Sequence, residues 1–231
     1  MQSFPKPFHA LVIGSSGGIG TAFLQILKTH PQCACAIGLH RASQPAINFE
    51  DEASIAAAAE ELRPFAPFHL IINAAGVLHT DEWMPEKKLA DLQFAQLQKT
   101  FQINTFGPAL VLRHFTPLLD KDRSVLAMLS AKVGSIGDNR LGGWYSYRAS
   151  KAALNMLVKT ASIELKRSHP NAVCVAVHPN TVNTPLSQPF RGEQIGRPAL
   201  SAAQDMLTML DSLTVSDTGE FYAYNGEHLP W

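Results

Sequence analysis

The chain has 231 residues, 46% of them hydrophobic, and its 19 basic side chains balance its 19 acidic ones. That is enough for one α/β domain with a substantial core, and no Pro/Ser-rich linker divides residues 1–231 into two. Interspersed charge gives no footprint for nucleic acid or an anionic membrane surface. No apolar run approaches the roughly 20 residues that span a bilayer, and the start Met1-Gln2-Ser3-Phe4-Pro5-Lys6 lacks a signal-peptide core.

His9–Ile13 is a short apolar run suited to a buried parallel strand. It ends in Gly14-Ser15-Ser16-Gly17-Gly18-Ile19-Gly20, and Thr21–Leu27 follows at helical spacing. Strand, glycine loop and helix in that order can hold a pyrophosphate. Glycines let backbone N–H groups approach the phosphates, and the helix N-terminus adds roughly half a positive charge. The loop residues expected at the cofactor are Gly14, Ser16, Gly18, Ile19 and Gly20. The spacing Gly14, Gly18, Gly20 is G-x-x-x-G-x-G, and in this the chain resembles the short-chain dehydrogenase/reductase family.

Cys35–Leu39 reads as a second strand ending at His40-Arg41. An acid at such a strand end would bind the ribose 2′-hydroxyl of NAD, whereas arginine accommodates the 2′-phosphate of NADP. No Asp or Glu is present, so Arg41 favours NADP(H), with NAD(H) as the alternative. The three cysteines (Cys33, Cys35, Cys174) cannot all pair and lack a zinc spacing. They read as small buried hydrophobes in a reducing, cytoplasmic compartment, and no metal is expected. Ala46–Phe49 is expected to form a short third strand, with Asp51-Glu52-Ala53-Ser54 opening an alanine-rich helix. The resemblance places Asn48 where the family usually has an adenine-contacting Asp, with Phe49 beside it.

Phe68–Ile72 is a fourth strand running into Asn73-Ala74-Ala75-Gly76. Small residues there let the backbone come close to the cofactor, and Asn73 can brace the strand end. The family's usual form is Asn-Asn-Ala-Gly, so Ala74 departs from it. A helical region is expected over Leu89–Leu119, with Asn104 inside an otherwise apolar stretch, where a polar side chain needs a partner or a purpose. The resemblance implies that Asn104 kinks the helix and holds a water linking the catalytic lysine to solvent.

Ser124–Leu129 is a fifth strand and delivers Ser130 at its carboxyl end, where open α/β sheets place their ligands. Ser130 is favoured over Ser135, which lies deeper in a glycine-bearing loop. Next comes Trp144-Tyr145-Ser146-Tyr147-Arg148-Ala149-Ser150-Lys151, opening a helix through Leu165 that Pro170 cannot continue. Tyr147 and Lys151 share one helix face, and an ammonium there favours phenolate, bringing the phenol towards useful acid–base catalysis. Tyr145 lies on another face and is expected to line the substrate side. The long Ser130–Tyr147 interval, the Tyr-x-Tyr-Arg-x-Ser-Lys run and the ending through Tyr224-Asn225-Gly226 resemble the C-factor-like, small carbonyl-reductase-like branch of the family.

Val173–Val177 is a sixth strand, followed by His178-Pro179-Asn180-Thr181-Val182-Asn183-Thr184. The family segment runs Pro-Gly-x-Val-x-Thr. The resemblance therefore implies that Pro179, Val182 and Thr184 hold the nicotinamide end, with Asn180 replacing the glycine. Asn tolerates the left-handed backbone better than most residues. His178 is read as structural. Residues 185–198 are placed as a substrate lid, Ser201 as the N-cap of a last helix, and Gly219–Gly226 as a final strand and turn.

The expected fold is a single-domain, doubly wound α/β Rossmann domain with a mostly parallel seven-stranded sheet, order 3-2-1-4-5-6-7, and helices on both faces. The expected activity is an NADP(H)-dependent carbonyl reductase or alcohol dehydrogenase. Tyr147 exchanges the proton and Lys151 tunes it and binds the nicotinamide ribose. Ser130 orients the carbonyl and Asn104 carries the relay. The partner is a small carbonyl or alcohol, and the resemblance implies a homodimer or homotetramer. A non-enzymatic dinucleotide-binding regulator is the alternative, although a pure binder needs no Ser130, Tyr147 and Lys151 together. An epimerase or dehydratase would use the same pair but usually carries a larger C-terminal region.

Overall fold

The computed structural model describes residues 1–231. Six strands form one sheet: β1 (Phe8–Ile13), β2 (Cys33–Leu39), β3 (Leu70–Asn73), β4 (Ser124–Leu129), β5 (Ala172–His178) and β6 (Phe221–Ala223). Their order is β2-β1-β3-β4-β5-β6 and every pairing is parallel. Side chains alternate across a strand, so an apolar run feeds two cores. Leu11, Ile13, Leu126 and Met128 enter one, while Ala10, Val12, Val125 and Ala127 enter the other.

The first core is closed by helices α2 (Glu52–Leu62), α4 (Gly107–Phe115) and α5 (Tyr145–Ser168), and the second by α1 (Gly18–Thr29) and α7 (Ala199–Ser212). Two shorter helices, α3 (Phe94–Phe101) and α6 (Gly192–Ile195), complete the set. No helix is long and apolar enough to cross a membrane.

The sheet lacks the third strand expected at Ala46–Phe49. Pro45 has no N–H to give, the Ile47 amide bonds His40 O at 3.1 Å, and the Asn48 amide bonds Ser54 Oγ at 3.0 Å. With those donors engaged in local turns, no ladder forms against β2. The sheet therefore has six strands, in the order anticipated for the rest. The region 89–119 is likewise not one helix: α3 passes into a π-helical turn at Gln102–Phe106 before α4 begins. Asp51 does cap α2, accepting from Ala53 N at 3.0 Å, but α7 starts at Ala199, so Ser201 lies inside it rather than at its cap.

Candidate active site

The carboxyl ends of β1, β3, β4 and β5 open onto two depressions. One, of about 350 Å³, is lined by Gly14, Ser16, Gly17, Arg41, Asn48, Phe49 and Ala74–Gly76; the other, of about 760 Å³, by Ile19, Ser130, Tyr147, Val182 and Thr184. The glycine loop runs between them. Gly14 has φ +81, and a methyl group there would sit 2.6 Å from Ala75 N. A methyl on Gly18 would sit 2.5 Å from Thr184 Cγ2, and one on Gly20 would collide with the Gly14 carbonyl. Only glycine lets the loop lie so close to the segments after β3 and β5. No side chain caps α1, which leaves its first amides to an anion.

Asn73 braces the end of β3 as expected, accepting from Ala75 N at 3.2 Å. Arg41 lies on the rim of the smaller depression. The acid on that rim, Glu50, is paired with Lys99 at 2.6 Å, so Arg41 keeps the local charge positive. Asn48 turns its Oδ1 to Glu50 N at 3.1 Å. Phe49 packs on the open face of Gly107. Across the glycine loop, Asn180 adopts φ +64, the left-handed conformation its side chain tolerates, and Pro179 follows β5 into the larger cavity.

Ser130 is set at the end of β4 by its amide bond to Val177 O at 2.8 Å. Its hydroxyl is buried and donates to Asn155 Oδ1 at 2.6 Å. Ser135, the competitor, accepts from Asp138 N at 3.1 Å and does not line the cavity. Nor does Tyr145 line it, contrary to expectation.

Tyr147 and Lys151 stand one turn apart on α5, with the Lys151 Nζ 5.8 Å from the phenol ring centroid. That ammonium is buried and donates to Leu129 O at 2.9 Å. Burial lowers it to about 8 and pushes the Tyr147 phenol above its ordinary value. The phenol is thus not drawn towards phenolate in the free protein. Burial disfavours the charged form of the phenol, and the Lys151 hydrogen bond goes to a backbone carbonyl.

Asn104 sits in the π-helical turn, fully buried, with Oδ1 accepting from Val77 N at 2.8 Å and Nδ2 donating to Val77 O at 2.8 Å and Ser150 Oγ at 3.1 Å. Its side chain is committed to clamping the loop after β3 against α5. A methyl on Gly76 would touch both Asn104 Oδ1 (3.4 Å) and Lys151 Nζ (3.5 Å), so these three residues converge. His178 also lines the larger cavity, and burial lowers it to about 4. It is neutral at physiological pH.

Two supports were not anticipated. Glu86, buried and 60 positions from Ser146 in the chain, accepts from Ser146 N at 3.2 Å and from Ser146 Oγ, while its carbonyl receives Trp144 N at 2.5 Å. No local pattern announces such a distant cap. Asn155 is different. Like Asn104 it is a polar residue on an otherwise apolar helix face, and that signal was available. Trp144, at φ +53, turns its ring against Tyr147 (6.2 Å) and Phe190 (4.9 Å) and forms an aromatic wall of the cavity.

A family profile described as enoyl-(acyl carrier protein) reductase matches residues 33–224. The C-signal protein of Myxococcus xanthus is 34% identical over 166 residues, 71% of this chain and 93% of that protein. The chain belongs to the short-chain dehydrogenase/reductase family. Such a dehydrogenase/reductase is an oxidoreductase acting on CH–OH or C=O groups. The 1-hydroxy-2-glutathionyl-2-methyl-3-butene dehydrogenase of Rhodococcus sp. (strain AD45) is 28% identical over 231 residues, covering 96% of this chain and 98% of that one. Among solved structures, NADPH-bound carbonyl reductase from chicken fatty liver matches with a TM-score of 0.84 at 25% identity over 98% of this chain and all (100%) of that one. Carbonyl reductase Sniffer of D. melanogaster shares the fold with the same TM-score of 0.84 at 21% identity, over 98% of this chain and 100% of that one.

Proposed function

We propose that this dehydrogenase/reductase is an NADP(H)-dependent reductase of small carbonyl compounds, with Tyr147 as its general acid. The observation that carries the reading is one cavity in which Ser130 and Tyr147 stand opposite Ile19, Val182 and Thr184, with Lys151 buried one turn behind the tyrosine. The uncapped start of α1 and the Gly14–Gly20 loop suit a pyrophosphate, and the NADPH-bound chicken enzyme of the same fold supports the cofactor. Gly14, Ser16, Gly18, Gly20, Arg41, Asn48, Phe49 and Asn73–Gly76 would hold its adenosine half. Ile19, Tyr147, Lys151, Pro179, Val182 and Thr184 would hold its nicotinamide half. Bound there, the cofactor supplies a hydride for the carbonyl carbon.

Tyr147 gives its phenolic proton to the carbonyl oxygen, so hydride and proton together make the alcohol, and solvent returns the proton. The raised phenol is fully protonated at neutral pH, the form that reduction requires. The phenolate left behind faces the Lys151 ammonium, a stabilisation that exists only once charge has developed. Ser130 orients the carbonyl, and Asn104 fixes the loop beside Lys151. Residues 185–198, which bring Leu186, Phe190 and Ile195 to the cavity, act as its lid.

Tyr147→Phe tests this. The variant should bind NADPH as tightly as the native chain by fluorescence titration yet lose turnover by about 10²–10⁴-fold. Near-native turnover would sink the assignment.

A homo-oligomer, dimer or tetramer, belongs to the same reading. Met156 and Ile163, seven apart on α5, are exposed on one face, and light scattering reads the mass directly. The free cysteines suit a cytoplasmic setting. The likeness to C-signal favours one second reading, a dinucleotide-binding signalling protein. On that reading Tyr147→Phe and the native chain would both bind NADPH and neither would turn over any carbonyl.

A further inference from the structure

The buried amide of Asn155, four residues after Lys151 on α5, takes no part in the chemistry just described, yet it holds the Ser130 hydroxyl. Both residues are 3% exposed, and Ser130 Oγ donates to Asn155 Oδ1 at 2.6 Å. A serine hydroxyl has one hydrogen. While that hydrogen points at Oδ1, it is not available to a carbonyl in the cavity. The other end of the same amide, Nδ2, is enclosed and has no acceptor at all. A buried N–H without a partner is costly, more so than a carbonyl oxygen left short of a donor.

We propose that Asn155 is a positioning residue that sets the direction of the Ser130 hydroxyl, and that the working state has its amide rotated by half a turn. In the rotated state Nδ2 donates to the Ser130 oxygen, and the hydroxyl hydrogen turns into the cavity. In the observed orientation that hydrogen stays on Oδ1. With a carbonyl oxygen in place, Asn155 and Ser130 both have acceptors. The substrate therefore selects the amide orientation in which Ser130 donates to it. This inference rests on the reading of Ser130 as the residue that contacts the carbonyl.

The test is a double-mutant cycle on the full-length protein. NADPH and the fastest-reduced member of a panel of aldehydes and ketones that includes 4-nitrobenzaldehyde serve as probes. As the carboxylate, Asn155→Asp offers only acceptors and holds the hydroxyl away from the cavity. It should lower kcat towards the level of Ser130→Ala, a loss on the order of 10²-fold, with KM and NADPH affinity little changed. Asn155→Leu removes the amide without adding charge and should give a smaller loss of the same kind. It carries the test if the aspartate variant does not fold. On a Ser130→Ala background neither substitution should cost further kcat. Equal losses on both backgrounds, or no loss on either, would overturn the inference while leaving the reductase reading intact. A Ser130→Ala variant with native turnover, or a native chain that reduces none of the panel, would overturn the role of Ser130 and the inference with it.

Discussion

Lys151 carries an ammonium into the interior, where it is 3% exposed, and burial lowers it from 10.5 to about 8. Both native and unfolded states hold the proton at pH 7, so the native state bears the full cost of the buried charge. Between about pH 8 and 10.5 the unfolded chain binds more protons than the native one, so this group's contribution to stability rises with pH there. Lys151→Met removes that cost along with the bond to Leu129 O. We expect it to be more stable than the native chain by about 1–3 kcal/mol at pH 7 while losing turnover, a trade between stability and function. Urea unfolding at pH 7 and again near pH 9.5 checks the sign: the advantage should shrink at the higher pH. A variant less stable than native at pH 7 would show that the bond to Leu129 outweighs the burial.

The working face of α5 depends on how the helix starts. Its first turn has no local cap and follows Trp144 in the left-handed region, where a bulky side chain is strained. Glu86 supplies what the local chain lacks, placing a buried carboxylate at the positive end of the helix and a carbonyl on Trp144 N. Glu86→Ala strands Ser146 N–H and Oγ and should cost about 1–3 kcal/mol in denaturant unfolding. It should also lower kcat, because Tyr147 is one residue beyond Ser146. Glu86→Gln keeps an acceptor and should lose less. Equal stability for Glu86→Ala and native protein would mean that water replaces the carboxylate. The helix itself was legible from apolar periodicity and from Pro170, and the left-handed Asn180 from its side-chain chemistry. Glu86 was not legible, because its partners are made by tertiary contact. Ala46–Phe49 misled because β-prone residues there spend their amides on Ser54 and His40, an alternative that a periodicity count does not weigh.

At the scale of the molecule, an apolar parallel sheet brings the ends of four strands to one rim, and a ligand bound along that rim ties β1, β3, β4 and β5 together. Binding to the native state alone then appears as stability. NADPH at a hundredfold excess over its Kd should add about 2.7 kcal/mol, which for a chain of this length should raise Tm by about 5–10 °C. Arg41 should decide which dinucleotide does this. It is exposed on the rim of the smaller depression, Lys99 neutralises Glu50 beside it, and no acid stands at the end of β2 to receive a ribose 2′-hydroxyl. A guanidinium on a 2′-phosphate is a charge-assisted contact, and its loss costs about 1.5–3 kcal/mol, roughly 10–100-fold in Kd. Thermal melts of the native chain with NADPH and NADH should show the larger shift with NADPH. Arg41→Ala should reduce the NADPH shift to that of NADH and leave the NADH shift unchanged. If the substitution leaves the NADPH shift intact, the 2′-phosphate is held elsewhere, and Lys99, released from Glu50, is the next cation on that rim to replace.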